Sequence, residues 1–266
     1  MARNSMKNVC RLINQVQKEL PPENCFLNEL ERSIELDEDK QKRIPSKTYK
    51  PSGMNCMRQS YYQIVGKQQD TASSNYTNIG ICNSGTDIHE RIQKAVAGMK
   101  ANGFDCEYVD VAKFIETRSP SLDHLEVVER KGMETKLFHK DLNISFMCDG
   151  IIKYKDHYYI LELKTETVNK WFSRKGVDES HFNQAIAYSL SFNIDEVIFV
   201  YISRDTLDMK SFMFRVTDDM KHDLVGYIQL CDEFIQKSKV PPKSESTLKK
   251  TCNYCKYKTQ CRKDGD

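Results

Sequence analysis

The chain has 266 residues, 39% apolar and 29% charged, which suits a soluble globular protein of one domain with appendages or two small ones. Forty basic residues stand against thirty-eight acidic ones, a net charge of +2, so any affinity for nucleic acid must come from a local basic patch. No apolar run approaches the roughly 18 residues of a membrane span, and the opening Met-Ala-Arg-Asn-Ser-Met-Lys lacks the apolar stretch of a signal peptide, so a cytoplasmic protein is expected. In a reducing compartment, clustered members of its ten cysteines read as metal or cluster ligands rather than disulfides.

The chain begins with a helical segment, expected over residues 1–50 and split by Pro21-Pro22. Val9, Leu12, Ile13, Val16 and Leu20 recur at helical spacing, as do Phe26, Leu27, Leu30 and Ile34. Next, Pro51-Ser52-Gly-Met-Asn-Cys56-Met-Arg58 reads as a helix start capped by Ser52, with Cys56 one turn inside. In Gly85-Thr-Asp87-Ile-His89-Glu90, Asp87 reads as a second cap with Glu90 reaching back to it. Ile88, Ile92, Ala95, Val96 and Met99 then form the buried face, with His89 beside that stripe. A histidine there reads equally well as a packed or surface residue.

Two β-rich runs, Ile144 to Tyr154 and Tyr158 to Lys164, flank Lys155-Asp156-His157 and predict a hairpin. A turn centred between Lys155 and Asp156 sets Asp149 opposite Glu162, and strand alternation puts Glu162 and Lys164 on one face. Two carboxylates so placed repel unless a cation sits between them, and a hard divalent ion is the natural one. The plain alternative is an exposed hairpin edge with ordinary charges, and a one-residue slip would turn Asp149 away. Glu134, on the preceding β-rich run, reads by itself as an edge charge.

After the hairpin, Trp171, Arg174 and Lys175 belong to a mixed basic and aromatic loop. Such a loop can stack a base on Trp171 while cations hold phosphates, or it can simply pack the indole. Gln184 and Tyr188 lie four apart on one helix whose packed stripe includes Phe182, Ala185 and Ile186. Glu196 to Ser203 reads as a strand buried on both faces, Ser211 to Val216 as another, and Met220 to Ile235 as a long amphipathic helix. Pro241-Pro242 opens a linker to Cys252, Cys255 and Cys261, a spacing that supplies three thiolates to one metal or cluster. Lys256 and Lys258 beside them would hold phosphates or merely solubilise a tail. The domains expected are thus 1–50, a core over 51–240 and a cysteine-rich segment over 241–266.

Taken together these elements resemble the RecB-like branch of the PD-(D/E)XK nucleases over roughly residues 45 to 261. Five features carry the resemblance, in the order found in that branch: the Pro-Ser start leading to Cys56, Arg58 and Tyr62; Gly85-x-x-x-His89; Asp149 followed by Glu162-Leu163-Lys164; Gln184-x-x-x-Tyr188; and the C-terminal cysteines. The resemblance implies an α/β fold, a mixed central β-sheet flanked by helices, with N-terminal helices and a C-terminal cysteine-rich lobe. It implies Mg2+ or Mn2+ held by His89, Asp149, Glu162 and the backbone carbonyl of Leu163, with Lys164, Gln184 and Tyr188 completing the catalytic set, and it loosely matches Glu134 to an acid on the preceding strand. Cys56 would join Cys252, Cys255 and Cys261 around a [4Fe-4S] cluster, with Zn2+ the alternative. Arg58, Trp171, Arg174, Lys175, Lys256 and Lys258 would contact DNA.

The implied activity is a DNA exonuclease working from single-stranded ends. The resemblance sets it in recombination, repair, phage DNA processing or CRISPR-adaptation-like trimming, with partners from those systems and a homo-oligomer also open. A non-catalytic DNA-binding or assembly subunit on the same fold, and a restriction-type endonuclease, are the competing readings.

Overall fold

A computed structural model describes residues 22–40, 46–70, 75–243 and 249–265. Its contacts divide the chain into two units, Met1–Ile44 with Ser73–Asn83, and Pro45–Ala72 with Ser84–Asp266. In the first unit the expected second helix is α1 (Pro22–Lys40), and its Phe26, Leu27 and Leu30 are exposed. The expected helix through Val9 and Leu20 lies outside the described residues.

The second unit continues with α2 (Met57–Val65), α3 (Tyr76–Gly98, entering from the first unit), β1 (Cys106–Val109), α4 (Val111–Glu116), β2 (Leu125–Lys131), β3 (Glu134–His139), β4 (Ile144–Cys148) and β5 (Gly150–Tyr154). Then come β6 (His157–Glu166), α5 (Val168–Ser173), α6 (Phe182–Phe192), β7 (Glu196–Ser203), β8 (Met209–Arg215), α7 (Asp218–Gln236), α8 (Lys249–Asn253) and α9 (Lys258–Lys263). The fold is α/β. Among the described residues, a five-stranded sheet runs β1-β5-β6-β7-β8, parallel only between β6 and β7, and an antiparallel sheet runs β2-β3-β4. No described helix is long and apolar enough to cross a membrane.

The hairpin turns at Lys155-Asp156, both with positive φ (47° and 64°), as a two-residue primed turn requires. That turn sets Tyr154 opposite His157 and Gly150 opposite Leu161, the register expected. The run Ile144 to Tyr154 is not one strand, however. Cys148 pairs with Thr135 in the smaller sheet and Gly150 with Leu161 in the larger, so the chain changes sheets at Asp149. Gly150 permits the change, since a Cβ there would meet the Tyr108 ring at 2.6 Å.

Strand alternation then builds two cores. Ile151, Ile160, Val197, Phe199 and Tyr201 pack with residues of α2, α6 and α7, while Ile152, Leu161, Leu163 and Ile202 pack under Ile88, Ile92 and Val96 of α3 and Met99 just after it. Each such aliphatic or aromatic side chain contributes about 1.5 to 3 kcal/mol on full burial. β7 is therefore fully buried on one face only, with Ile198 and Val200 partly covered on the other.

Two helix starts differ from expectation. α3 begins at Tyr76, where the Asn75 side chain accepts the Asn78 N–H (2.9 Å), so Asp87 lies inside the helix and Glu90 pairs with Lys94 instead. Ser52 sits in a 3-10 turn (Pro51–Gly53), and Cys56 itself occupies the N-cap of α2. In both places a backbone route longer than one turn overrides the local capping signal.

Candidate metal centre and cysteine lobe

The sheet change at Asp149 creates the candidate centre. Glu134 opens β3, Asp149 stands at the β4–β5 joint, and His89 projects from α3; one donor atom of each lies within 4.8 Å of the others. His89 Nδ1 is 3.4 Å from Asp149 Oδ1, and the Leu163 N–H donates to Asp149 Oδ2 at 2.7 Å. Gln93, one helical turn beyond His89, and the Tyr108 hydroxyl both donate to the Asp149 carbonyl, at 2.8 and 2.7 Å. Gly85 lets α3 pass β6 closely, its Cβ position being only 3.2 Å from Thr165 Oγ1.

Glu162 lies beside this group, almost wholly buried. Its Oε1 accepts Lys164 Nζ at 2.5 Å and Gln184 Nε2 at 2.7 Å, whereas Oε2 is buried with no hydrogen-bond partner. Burying a carboxylate oxygen without a partner is costly, and it marks a place that a cation would stabilise. Burial pushes the Glu162 carboxyl up to about 7 and Asp149 adds to the rise, with Lys164 opposing it. Glu134 is likewise raised, by burial and then by Asp149. For His89, burial favours the neutral ring, but Asp149 and Glu162 outweigh it and raise the imidazole. The groups repel or polarise one another as the lining of an ion site does.

On the other side of Glu162, Gln184 Oε1 accepts Lys164 Nζ at 2.9 Å and its amide donates to Tyr188 Oη at 2.8 Å. The buried Tyr188 hydroxyl in turn donates to the Met147 carbonyl at 2.5 Å. A chain of hydrogen bonds thus ties the end of β4 to Lys164. Gln93 and Tyr108 are the participants that sequence left outside its site, and Glu134 is one that it left open. Glu134 shows only as an acid on a neighbouring strand, and Gln93 only as the i+4 partner of His89.

Cys56, Cys252, Cys255 and Cys261 line one cavity of about 180 Å³. The Cys255 thiol is raised by burial and by the three other cysteines, against an opposing hydrogen bond from the Tyr257 N–H. Arg58, expected to meet DNA, is only 4% exposed and is used internally: Nε donates to the Pro241 carbonyl at 2.7 Å and Nη1 to the Gly265 carbonyl at 2.5 Å. Trp171, expected to stack a base, is 9% exposed with its indole N–H on the Tyr201 carbonyl at 3.1 Å, while neighbouring Phe172 is 68% exposed. Arg174 is engaged by both oxygens of Glu166 at 2.7 Å. Lys175 and Lys256 are exposed, and Lys258 borders the cysteine cavity.

Fold and site together define an α/β protein with an acidic, histidine-containing candidate metal centre and a four-cysteine lobe. Neither a family model nor a curated protein sequence matches the chain. Among solved structures it is similar to SSO0001, at 16% identity and a TM-score of 0.48, over 91% of this chain and 98% of that one. It is also similar to LHK-Exo in complex with dAMP, at 11% identity and a TM-score of 0.42, over 72% of this chain and 89% of that one. A further likeness is to the alkaline exonuclease LHK-Exo from Laribacter hongkongensis, at 10% identity and a TM-score of 0.38, over 73% of this chain and 90% of that one.

Proposed function

We propose that this chain is a metal-dependent deoxyribonuclease of the PD-(D/E)XK type, hydrolysing phosphodiester bonds from single-stranded DNA ends. The observation that carries the reading is the unpartnered, buried Glu162 Oε2 beside the His89, Glu134 and Asp149 group, with Lys164 on its other oxygen. Carboxylate oxygens and one imidazole suit Mg2+ or Mn2+, with His89, Asp149 and Glu134 gathered to hold it and Glu162, named by the family resemblance, beside them. When bound, such an ion supplies Lewis acidity and a more acidic water. The protein's own part is positional. Lys164 is fixed between Glu162 and Gln184, and its ammonium would orient the attacking water or steady a phosphate oxygen. Gln184 keeps Lys164 and Glu162 in register, and Tyr188 keeps Gln184 in place.

The four cysteines are assigned to a structural [4Fe-4S] cluster. The family resemblance favours the cluster over Zn2+, and the four thiols lining one cavity suit either. Linking Cys56 to the C-terminal cysteines closes a loop long enough to stabilise the fold by about 5 kcal/mol at most. Incubating purified protein with end-labelled single- and double-stranded DNA, with Mg2+, Mn2+ or EDTA, tests the activity. Mononucleotide products favour the exonuclease, internal cuts an endonuclease, and binding without cleavage the non-catalytic subunit.

A further inference from the structure

A second cavity, of about 140 Å³, is lined by Lys50, Ser52, Gln63, Gln69, Lys256 and Tyr257, and no carboxylate lines it. Its floor is built: the buried Tyr257 donates its hydroxyl proton to Gln63 Oε1 at 2.9 Å and accepts from Gln69 Nε2 at 3.2 Å. Asp70, whose N–H donates to the Lys256 carbonyl at 2.6 Å, turns its carboxylate to the Thr259 N–H at 3.0 Å. The Lys50 ammonium is disfavoured by burial and then by the fields of Lys256 and Lys136. None of these three lysines makes an ion pair with a carboxylate among the described residues. Lys50, repelled by two further cations beside a cavity of amide and hydroxyl groups, has no anion of its own, while Lys136 has Glu129 across from it on β2.

The sheet topology joins this cavity to the metal centre. On β3, Thr135, Leu137 and His139 are buried, so Glu134 and Lys136 share the open face, about 7 Å apart along the strand. Across the sheet, Lys136 pairs with Met147 of β4, and Tyr49 lies against β4 in turn, with the Ser145 N–H donating to its carbonyl at 2.9 Å. Lys50 follows Tyr49. Its backbone is therefore about two interstrand spacings, near 10 Å, from β3.

We propose that Lys136, Lys50 and Lys256 form a phosphate track that carries the backbone of one nucleic-acid strand from the metal centre to the cysteine lobe. This rests on the nuclease reading and names how its substrate strand is held. Because Lys256 directly follows Cys255, whatever the four cysteines hold also fixes that end of the track.

The test is fluorescence anisotropy of a labelled oligothymidylate of roughly 20 nucleotides over a salt series, with Ca2+ in place of Mg2+. Each phosphate contact adds about 0.7 to the slope of log affinity against log salt for single strands, so Lys50→Gln with Lys256→Gln should reduce that slope by about 1.4. Low-salt affinity should fall about tenfold or more, Lys50→Arg should restore its share, and Mn2+ affinity by calorimetry should match the unaltered protein. An unchanged slope in the double variant overturns the track, whether or not affinity falls. If the unaltered protein shows the lysine-dependent slope yet cleaves no DNA with Mg2+, the nuclease reading fails and the track stands.

Discussion

The backbone N–H of Leu163 donates to Asp149 Oδ2 at 2.7 Å across fourteen residues of sequence. This bond leaves Asp149 Oδ1 turned toward His89. An N–H of β6, the strand that carries the Glu-x-Lys segment, thereby aims the carboxylate of the β4–β5 joint, and Gln93 and Tyr108 hold the Asp149 carbonyl.

Asp149→Ala, Glu162→Ala and Lys164→Ala should each lower metal-dependent cleavage by roughly a hundredfold to a thousandfold or more, the range for losing one preorganised electrostatic group. Circular dichroism should stay that of the unaltered protein. Full turnover by any one variant would remove that residue from the mechanism.

His89→Ala and Glu134→Ala should weaken Mn2+ binding more than oligonucleotide binding measured with Ca2+, because each places a donor atom in the candidate centre. Calorimetric titration separates the two effects. Unchanged Mn2+ affinity in Glu134→Ala would confine the ion to His89, Asp149 and Glu162.

Protein purified without oxygen should be brown, with the broad visible absorbance of a thiolate-held iron-sulfur cluster. Cys56→Ala should lose the colour as completely as Cys255→Ala, since both line the same cavity. Colourless protein holding one equivalent of zinc would replace the cluster by the ion.

Acid should destabilise the fold through buried histidines. Burial, and then His124, depress the His139 imidazole to about 4, and its Nδ1 is buried without a partner. Burial and then the field of Lys164 depress His181 to about 3. In each case the folded state favours the neutral ring, so the contribution is fully present above the unfolded value of about 6.5 and is lost as pH falls toward the folded one. For His139 the loss between those limits is on the order of 3 kcal/mol. Urea unfolding at a series of pH values should show it, and His139→Leu should flatten the curve; an unchanged slope would mean that the ring protonates within the fold.

Trp171 should report packing rather than substrate. Its emission should be unaltered by saturating oligonucleotide, and Trp171→Ala should cost about 3 to 5 kcal/mol of stability, as large-to-small changes in a core do. A shift in emission on binding would return the indole to the nucleic-acid surface.

Features set by local backbone geometry are legible in the residues alone. A two-residue turn at Lys155-Asp156 fixes the pairing of Gly150 with Leu161, alternation puts Glu162 and Lys164 on one face, and a four-residue spacing aligns Gln184 with Tyr188. The tertiary structure alone decided where those segments dock. A β-rich run from Ile144 to Tyr154 carries no mark of the sheet change at Asp149, which arises because Cys148 finds Thr135 on one side while Gly150 yields to Tyr108 on the other. Glu134 and Gln93 join the site through that same change. Arg58 and Trp171 look like surface cations and stacking platforms in one dimension, yet the Pro241 and Tyr201 carbonyls, remote in sequence, draw their polar atoms inward. Periodicity is a property of neighbouring residues, whereas burial and hydrogen-bond partners depend on which distant surfaces the packed chain brings together.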